Sequence, residues 1–104
     1  MTKKQYFVNV LLAYNLSKEF TYKIDKYVEI GSIVRVPFRS KKYIGIVTEH
    51  LKKPNFQKSK IKEVDSVSNK FLFKSKDLKF LDWVAKYNLI DRGNILKMML
   101  PNSD

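Results

Sequence analysis

The sequence predicts one α+β domain: a small curved antiparallel sheet or partly open barrel, followed by two C-terminal helices. Three observations predict it. The chain has 104 residues, the length of a single domain. Its first two thirds carry short runs of β-branched and aromatic residues, several alternating with period two. Its last third changes to apolar spacings of three and four. Strands followed by helices build layered folds of this class.

Tyr6 to Leu12 reads as the first strand, with Asn9 its only polar interruption. Glu19 to Ile24 alternates polar residues with Phe20, Tyr22 and Ile24, the pattern of a half-buried second strand. Gly31-Ser32 makes a turn, and Ile33 to Phe38 forms the third strand, where Pro37 belongs at an end or an edge because it cannot donate a ladder hydrogen bond. Arg39-Ser40-Lys41-Lys42 is a polar connector, so strands three and four are expected to pair as a hairpin. Lys42 to Glu49 is the fourth strand; Gly45 in its middle signals a bulge, a bend or close approach of another backbone. Lys52 to Lys60 is a polar loop, and the imperfect alternation from Ile61 to Val67 is read as a fifth strand. Ser75 is the expected N-cap of a helix, with Asp77 in its first turn and Leu78, Leu81, Val84 and Ala85 on its inner face. Trp83 and Tyr87 are read as core residues. Asp91 is expected to cap a second helix from Arg92 to about Met99, stopped by Leu100-Pro101.

Charge narrows the function. The net charge is +11, from 21 Lys and Arg against 10 Asp and Glu. From Arg39 to Lys62 stand Arg39, Lys41, Lys42, Lys52, Lys53, Lys58, Lys60 and Lys62, with Glu49 the lone acid. The same window contains the strand Tyr43 to Val47, so these cations lie on or beside folded structure. A fixed one-sign surface attracts a polyanion, and nucleic acid is the common large one. Phe20, Tyr22, Tyr43 and Phe56 lie near the positive stretch and offer rings on which bases stack. Phe20 suits the core as well as it suits a stacking surface; Tyr22, with its polar tip, is expected to reach a surface cleft.

Other chemistry is absent. Cysteine is missing, which removes disulfides and thiolate metal sites and fits a reducing cytoplasm. His50 is the only imidazole, so the serines lack a base. Gly31, Gly45 and Gly93 stand too far apart for a phosphate loop. Asp77 and Asp82 read as solvated helix charges. No apolar run approaches the ~20 residues a membrane span needs.

Read in order, the chain shows Phe20-Thr21-Tyr22, then Gly31 to Phe38, Ile44-Gly45-Ile46-Val47, Lys60 to Val64, Leu81 to Tyr87, Gly93 to Lys97 and Leu100-Pro101. From about Phe7 to Pro101 this resembles the N-terminal domain of primosomal protein N′, the PriA family of replication-restart helicases. The resemblance implies that residues 1–104 form a single DNA-binding domain, the N-terminal part of a longer ATP-dependent 3′–5′ DNA helicase. It implies capture of the 3′ end of the nascent leading strand at a stalled fork, with no catalysis and no cofactor in this domain; ATP and zinc would belong to the missing remainder. It places the nucleotide pocket at Phe20, Thr21, Tyr22, Arg39 and Lys62, with Lys41 and Lys42 beside it. Thr21 stands where the family often has an acid, and its hydroxyl can donate and accept; Arg39 stands where glycine is frequent. DNA is the implied partner, with single-strand-binding protein and primosome proteins as further ones, for a monomer working in the bacterial cytoplasm at the nucleoid. Two alternatives share the charge: a general single-stranded nucleic-acid-binding module, and a docking domain for an acidic protein partner.

Overall fold

The computed structural model describes residues 5–14, 18–52, 61–88 and 90–100. Strands β1 (Tyr6–Leu12), β2 (Glu19–Ile24), β3 (Ser32–Phe38), β4 (Lys41–Leu51) and β5 (Ser66–Leu72) form one sheet in the order β2-β1-β4-β3-β5. Every neighbouring pair is antiparallel. Helices α1 (Ser75–Asn88) and α2 (Arg92–Met99) follow. This is the expected α+β architecture.

Side chains alternate along a strand, and here both faces of the sheet are apolar. Val8, Val10 and Leu12 of β1 join Tyr22 and Ile24 of β2, Val34 and Val36 of β3 and Val47 of β4 in one buried cluster. On the opposite face, Leu11, Ile33 and Ile46 meet Phe73, Leu81 of α1, and Ile95 and Leu96 of α2. The helices therefore cover one face, and the sheet curls over the other. Each fully buried aliphatic side chain in these clusters contributes roughly 1.5–3 kcal/mol.

Two glycines allow the curl. Gly45 pairs with Leu12, and a Cβ there would lie 2.6 Å from the Leu11 carbonyl oxygen and 2.7 Å from Val10 Cγ1. The β1–β4 register also shifts between Asn9 and Val10, an irregularity that bends the strand. Gly31 has φ +97°, accepts a 2.8 Å hydrogen bond from Phe73 N–H and leaves no room for a Cβ, which would sit 1.8 Å from the Phe73 carbonyl oxygen.

The fifth strand differs from the expectation. Ile61 to Asp65 is not a ladder strand: Lys62 and Val64 bond the backbone of Lys23 on β2 through one parallel bridge, and Asp65 N–H then reaches Arg35 O on β3 at 2.7 Å. Only from Ser66 does the chain pair along β3. Ile61, Val64 and Val67 recur every third residue, which marks the crossing and not a period-two strand; the polar Ser66, Ser68 and Asn69 hid the strand that follows. The segment 62–65 thus bonds to both β2 and β3, drawing the two sides of the sheet together.

The helix starts also differ from the expectation. Ser75 is already helical, and the Lys74 carbonyl accepts from Asp77 and Leu78. Asp77 Oδ2 reaches back to accept from Lys74 N–H at 2.9 Å, the return half of a capping box. Asp91 does stand at the N-cap of α2, but it is its carbonyl, not a side-chain cap bond, that receives Asn94 and Ile95. The inner face of α1 is as expected, with Leu81 buried and Leu78, Val84 and Ala85 packed beside it. Trp83 and Tyr87, expected in the core, are 57% and 65% exposed. The helix has one sheet to pack on, and that contact is filled by the opposite stripe.

Candidate nucleic-acid interface

The β3–β4 hairpin turns on two residues, Arg39 and Ser40, both at positive φ (49° and 65°). This mirror-image turn matches the twist of the strands it joins. It makes Phe38 and Lys41 the closing hydrogen-bonded pair, so Pro37, opposite Lys42, occupies the next, non-bonded position. Its missing N–H therefore costs no ladder bond. Its carbonyl faces away from β4 and accepts a 2.8 Å hydrogen bond from the Tyr22 hydroxyl.

Four rings line up beside this turn. Phe20 and Phe38 lie 4.8 Å apart between centroids, Phe38 and Tyr43 6.0 Å, and Tyr43 and Tyr14 4.8 Å. Phe20, Phe38 and Tyr43 are half-buried against the first core cluster, and Tyr14 is exposed at the end of the row. The Arg39 guanidinium sits 5.0 Å from the Phe38 ring centroid. Arg39, Lys41 and Lys42 are all exposed. The arrangement combines aromatic faces, which accept any base, with cations that meet phosphate.

The structure brings together some of the expected residues and separates others. Phe20, Arg39, Lys41 and Lys42 converge on the hairpin end. Lys42 shares its charge with Asp65 in a 2.8 Å ion pair, both side chains well exposed. Lys62 is exposed on the segment beside β2, its carbonyl bonded to Lys23 N–H, one residue from Tyr22. Tyr22 itself does not reach a surface cleft. It is 3% exposed, and burial pushes its phenol up to about 12. Its polar tip is satisfied by the Pro37 carbonyl inside the fold, an acceptor that no strand pattern discloses. Thr21 faces the opposite side of β2 from Phe20 and Tyr22, as neighbours on a strand must. Its hydroxyl donates to Asn9 Oδ1 at 2.8 Å, and Asn9 Nδ2 donates to Glu49 at 3.1 Å. Phe56, with Lys53, Lys58 and Lys60, lies outside the described residues.

Sequence reasoning missed Tyr14 and assigned Phe38 no role in stacking. Phe38 was marked by its place directly before a turn. Tyr14 carried no signal; the hydrogen bond from Ala13 N–H to Ile44 O (2.8 Å) is what carries the end of β1 to Tyr43. A separate cleft of about 280 Å³ lies between α1 and the sheet, lined by Leu11, Glu19, Thr48, Asp82 and Arg92 among others. Arg92 pairs there with Glu19 at 2.9 Å and Asp82 at 3.5 Å, and Thr48 donates to Glu19. Its carboxylates make it a poor seat for phosphate. Among the described residues no helix is long and apolar enough to cross a membrane.

A family model described as the PriA 3′DNA-binding domain (3′BD) matches residues 9–101. The chain belongs to the PriA 3′DNA-binding domain family. It is thus a DNA-binding domain of the replication-restart type. The 3′BD match includes the whole aromatic row, the hairpin and both helices. The chain is 37% identical over 75 residues to the replication restart protein PriA of Rickettsia felis, covering 71% of this chain and 11% of that protein. It is 29% identical over 97 residues to PriA of Buchnera aphidicola, covering 90% and 13% respectively. Against PriA of Rickettsia conorii it is 35% identical over 78 residues, covering 74% and 12%. The match therefore takes in only 11% to 13% of the length of these relatives.

Proposed function

We propose that this domain captures the 3′ end of the nascent leading strand at a stalled fork, acting as the N-terminal part of a longer ATP-dependent 3′–5′ helicase. The observation that carries the reading is the ring row Phe20–Phe38–Tyr43–Tyr14 beside the Arg39 turn, in a chain of the 3′BD family. The terminal base stacks on the half-buried rings without regard to its identity. Arg39 and Lys41 meet the phosphates, and Lys62 supplies further charge from the neighbouring segment. Tyr22 acts from within, holding the Pro37 carbonyl and so the strand end that presents Phe38 and Arg39. Thr21 is tied to Asn9 and supports β1–β2 pairing. ATP hydrolysis and zinc binding belong to the remainder of the helicase, and this domain binds without catalysing. Single-strand-binding protein and primosome proteins are its proposed protein partners, in the bacterial cytoplasm at the nucleoid.

The test is a pair of oligonucleotides that differ only at the terminus, one with a free 3′ hydroxyl and one 3′-phosphorylated. Tighter binding of the free hydroxyl supports end capture. Equal affinity removes it and leaves a general single-strand binder.

A further inference from the structure

The outer face of α1 is built unlike an ordinary solvent face. Lys76, Lys79, Phe80, Trp83, Lys86 and Tyr87 recur at spacings of three and four, so they share one side of the helix. Phe80 is 55% exposed, Trp83 57% and Tyr87 65%. The rings form a ladder: Phe80 and Trp83 are 6.4 Å apart and nearly parallel at 25°, and Trp83 and Tyr87 are 5.2 Å apart. Lys86 Nζ lies 5.8 Å from the Tyr87 ring centroid. Asp77 is turned to Lys74 N–H, and Asp82, three residues from Lys79 and four from Lys86, borders the face with its carboxylate directed to Arg92 at 3.5 Å. The face therefore combines three rings and three lysines, with Asp82 the one carboxylate of the helix at its edge.

We propose that this face is a second platform for single-stranded nucleic acid, distinct from the hairpin end. Charge complementarity selects the occupant. A second copy of the chain would set lysine against lysine. A strand of nucleic acid brings phosphates for Lys76, Lys79 and Lys86 and flat bases for the ring ladder, the pairing used by single-strand channels. The two platforms lie on opposite sides of the fold: the hairpin rings pack on the cluster of Val8, Val10 and Val36, and α1 packs on the cluster of Leu11, Ile33 and Ile46. A strand held at the hairpin end and a strand lying along α1 are thus separate binding events. The inference does not require that the hairpin end select a 3′ terminus.

Trp83 is the only tryptophan in the chain, so its emission reports on this face alone. The experiment is a titration of the 104-residue protein with a short oligothymidine, read by Trp83 fluorescence and in parallel by anisotropy of a labelled strand. The expected result is saturable quenching that weakens with added salt. Phe80→Ala and Tyr87→Ala should each lower the affinity read by quenching roughly tenfold, the loss of one stacked base. Lys79→Glu with Lys86→Glu should lower it further. Quenching must persist in Phe38→Leu, which disables the hairpin rings. Binding by anisotropy without any change in Trp83 emission would overturn the proposal. So would unchanged oligothymidine affinity in Trp83→Leu, or a dimer in sedimentation that Trp83→Leu dissociates while DNA binding is unaffected. The three rings are exposed, so these variants retain the core, which a thermal melt verifies.

Discussion

Replacing Tyr22 with phenylalanine separates its structural role from a direct part in DNA binding. The Tyr22 ring is buried, and its hydroxyl makes one hydrogen bond, 2.8 Å to the Pro37 carbonyl. Tyr22→Phe keeps the ring and removes that bond. The bond itself is worth about 0.5–1.5 kcal/mol, and a wholly buried carbonyl left without a partner would add about 1–3 kcal/mol. Pro37 is only half-buried, so water recovers much of the second cost. The expected loss is about 1–2 kcal/mol, or roughly 4–8 °C in melting temperature per kcal/mol for a domain of this size. The assay is a thermal melt followed by circular dichroism, repeated across pH. Because the folded-state phenol is raised to about 12 from its ordinary value of 10, Tyr22 contributes stability that is complete below pH 10 and lost as pH rises toward 12. The gap between wild type and variant should therefore narrow over that window. DNA affinity well below the melting point should change by less than about threefold. An unchanged melting temperature at pH 7 would refute the energetic argument. A large loss of affinity with intact stability would return Tyr22 to the binding surface.

Three further outcomes follow from the same geometry. Gly45→Ala places a methyl 2.6 Å from the Leu11 carbonyl and 2.7 Å from Val10 Cγ1, and should cost about 1–3 kcal/mol in urea unfolding. Ser40→Gly relieves a left-handed φ of 65° at the second turn position; set against the added freedom of the unfolded chain, it should gain about 0.5–1 kcal/mol without changing DNA affinity. Arg39→Ala and Lys62→Ala should each weaken binding of single strands and flatten the plot of log affinity against log salt by about 0.7, the loss of one phosphate contact; an unchanged slope tells against the contact.

Much of the fold was legible because local pattern and tertiary role agreed. β1 to β4 announced themselves through β-branched and aromatic runs, and Gly45 marked the bend it allows. The inner stripe of α1 was visible for the same reason. What failed was information held in distant partners. Ile61 to Asp65 looked like a strand but bonds two different strands in turn, and β5 was disguised by its polar Ser66, Ser68 and Asn69. Arg39, Lys41 and Lys42 stand at the hairpin turn because the polar connector between strands three and four was readable, and Phe20 meets Phe38 beside it. Thr21 could not share that surface with Phe20, since a strand sends adjacent side chains to opposite faces, and Tyr22, on the same face as Phe20, is drawn into the core. Trp83 and Tyr87 are large and apolar, properties that predict burial in general; only the occupied inner stripe of α1 shows that they had nowhere to go.

The segment from Lys62 to Asp65 has a consequence for solution behaviour. An unguarded sheet margin offers N–H and C=O groups to any extended peptide and so invites pairing between molecules. Here β2 is one margin of the sheet, and both backbone groups of Lys23 on it already find partners in the chain's own passage at Lys62 and Val64. The polypeptide hems that border of its own fabric, and an extended peptide adding to β2 must first unpick the seam at Lys23.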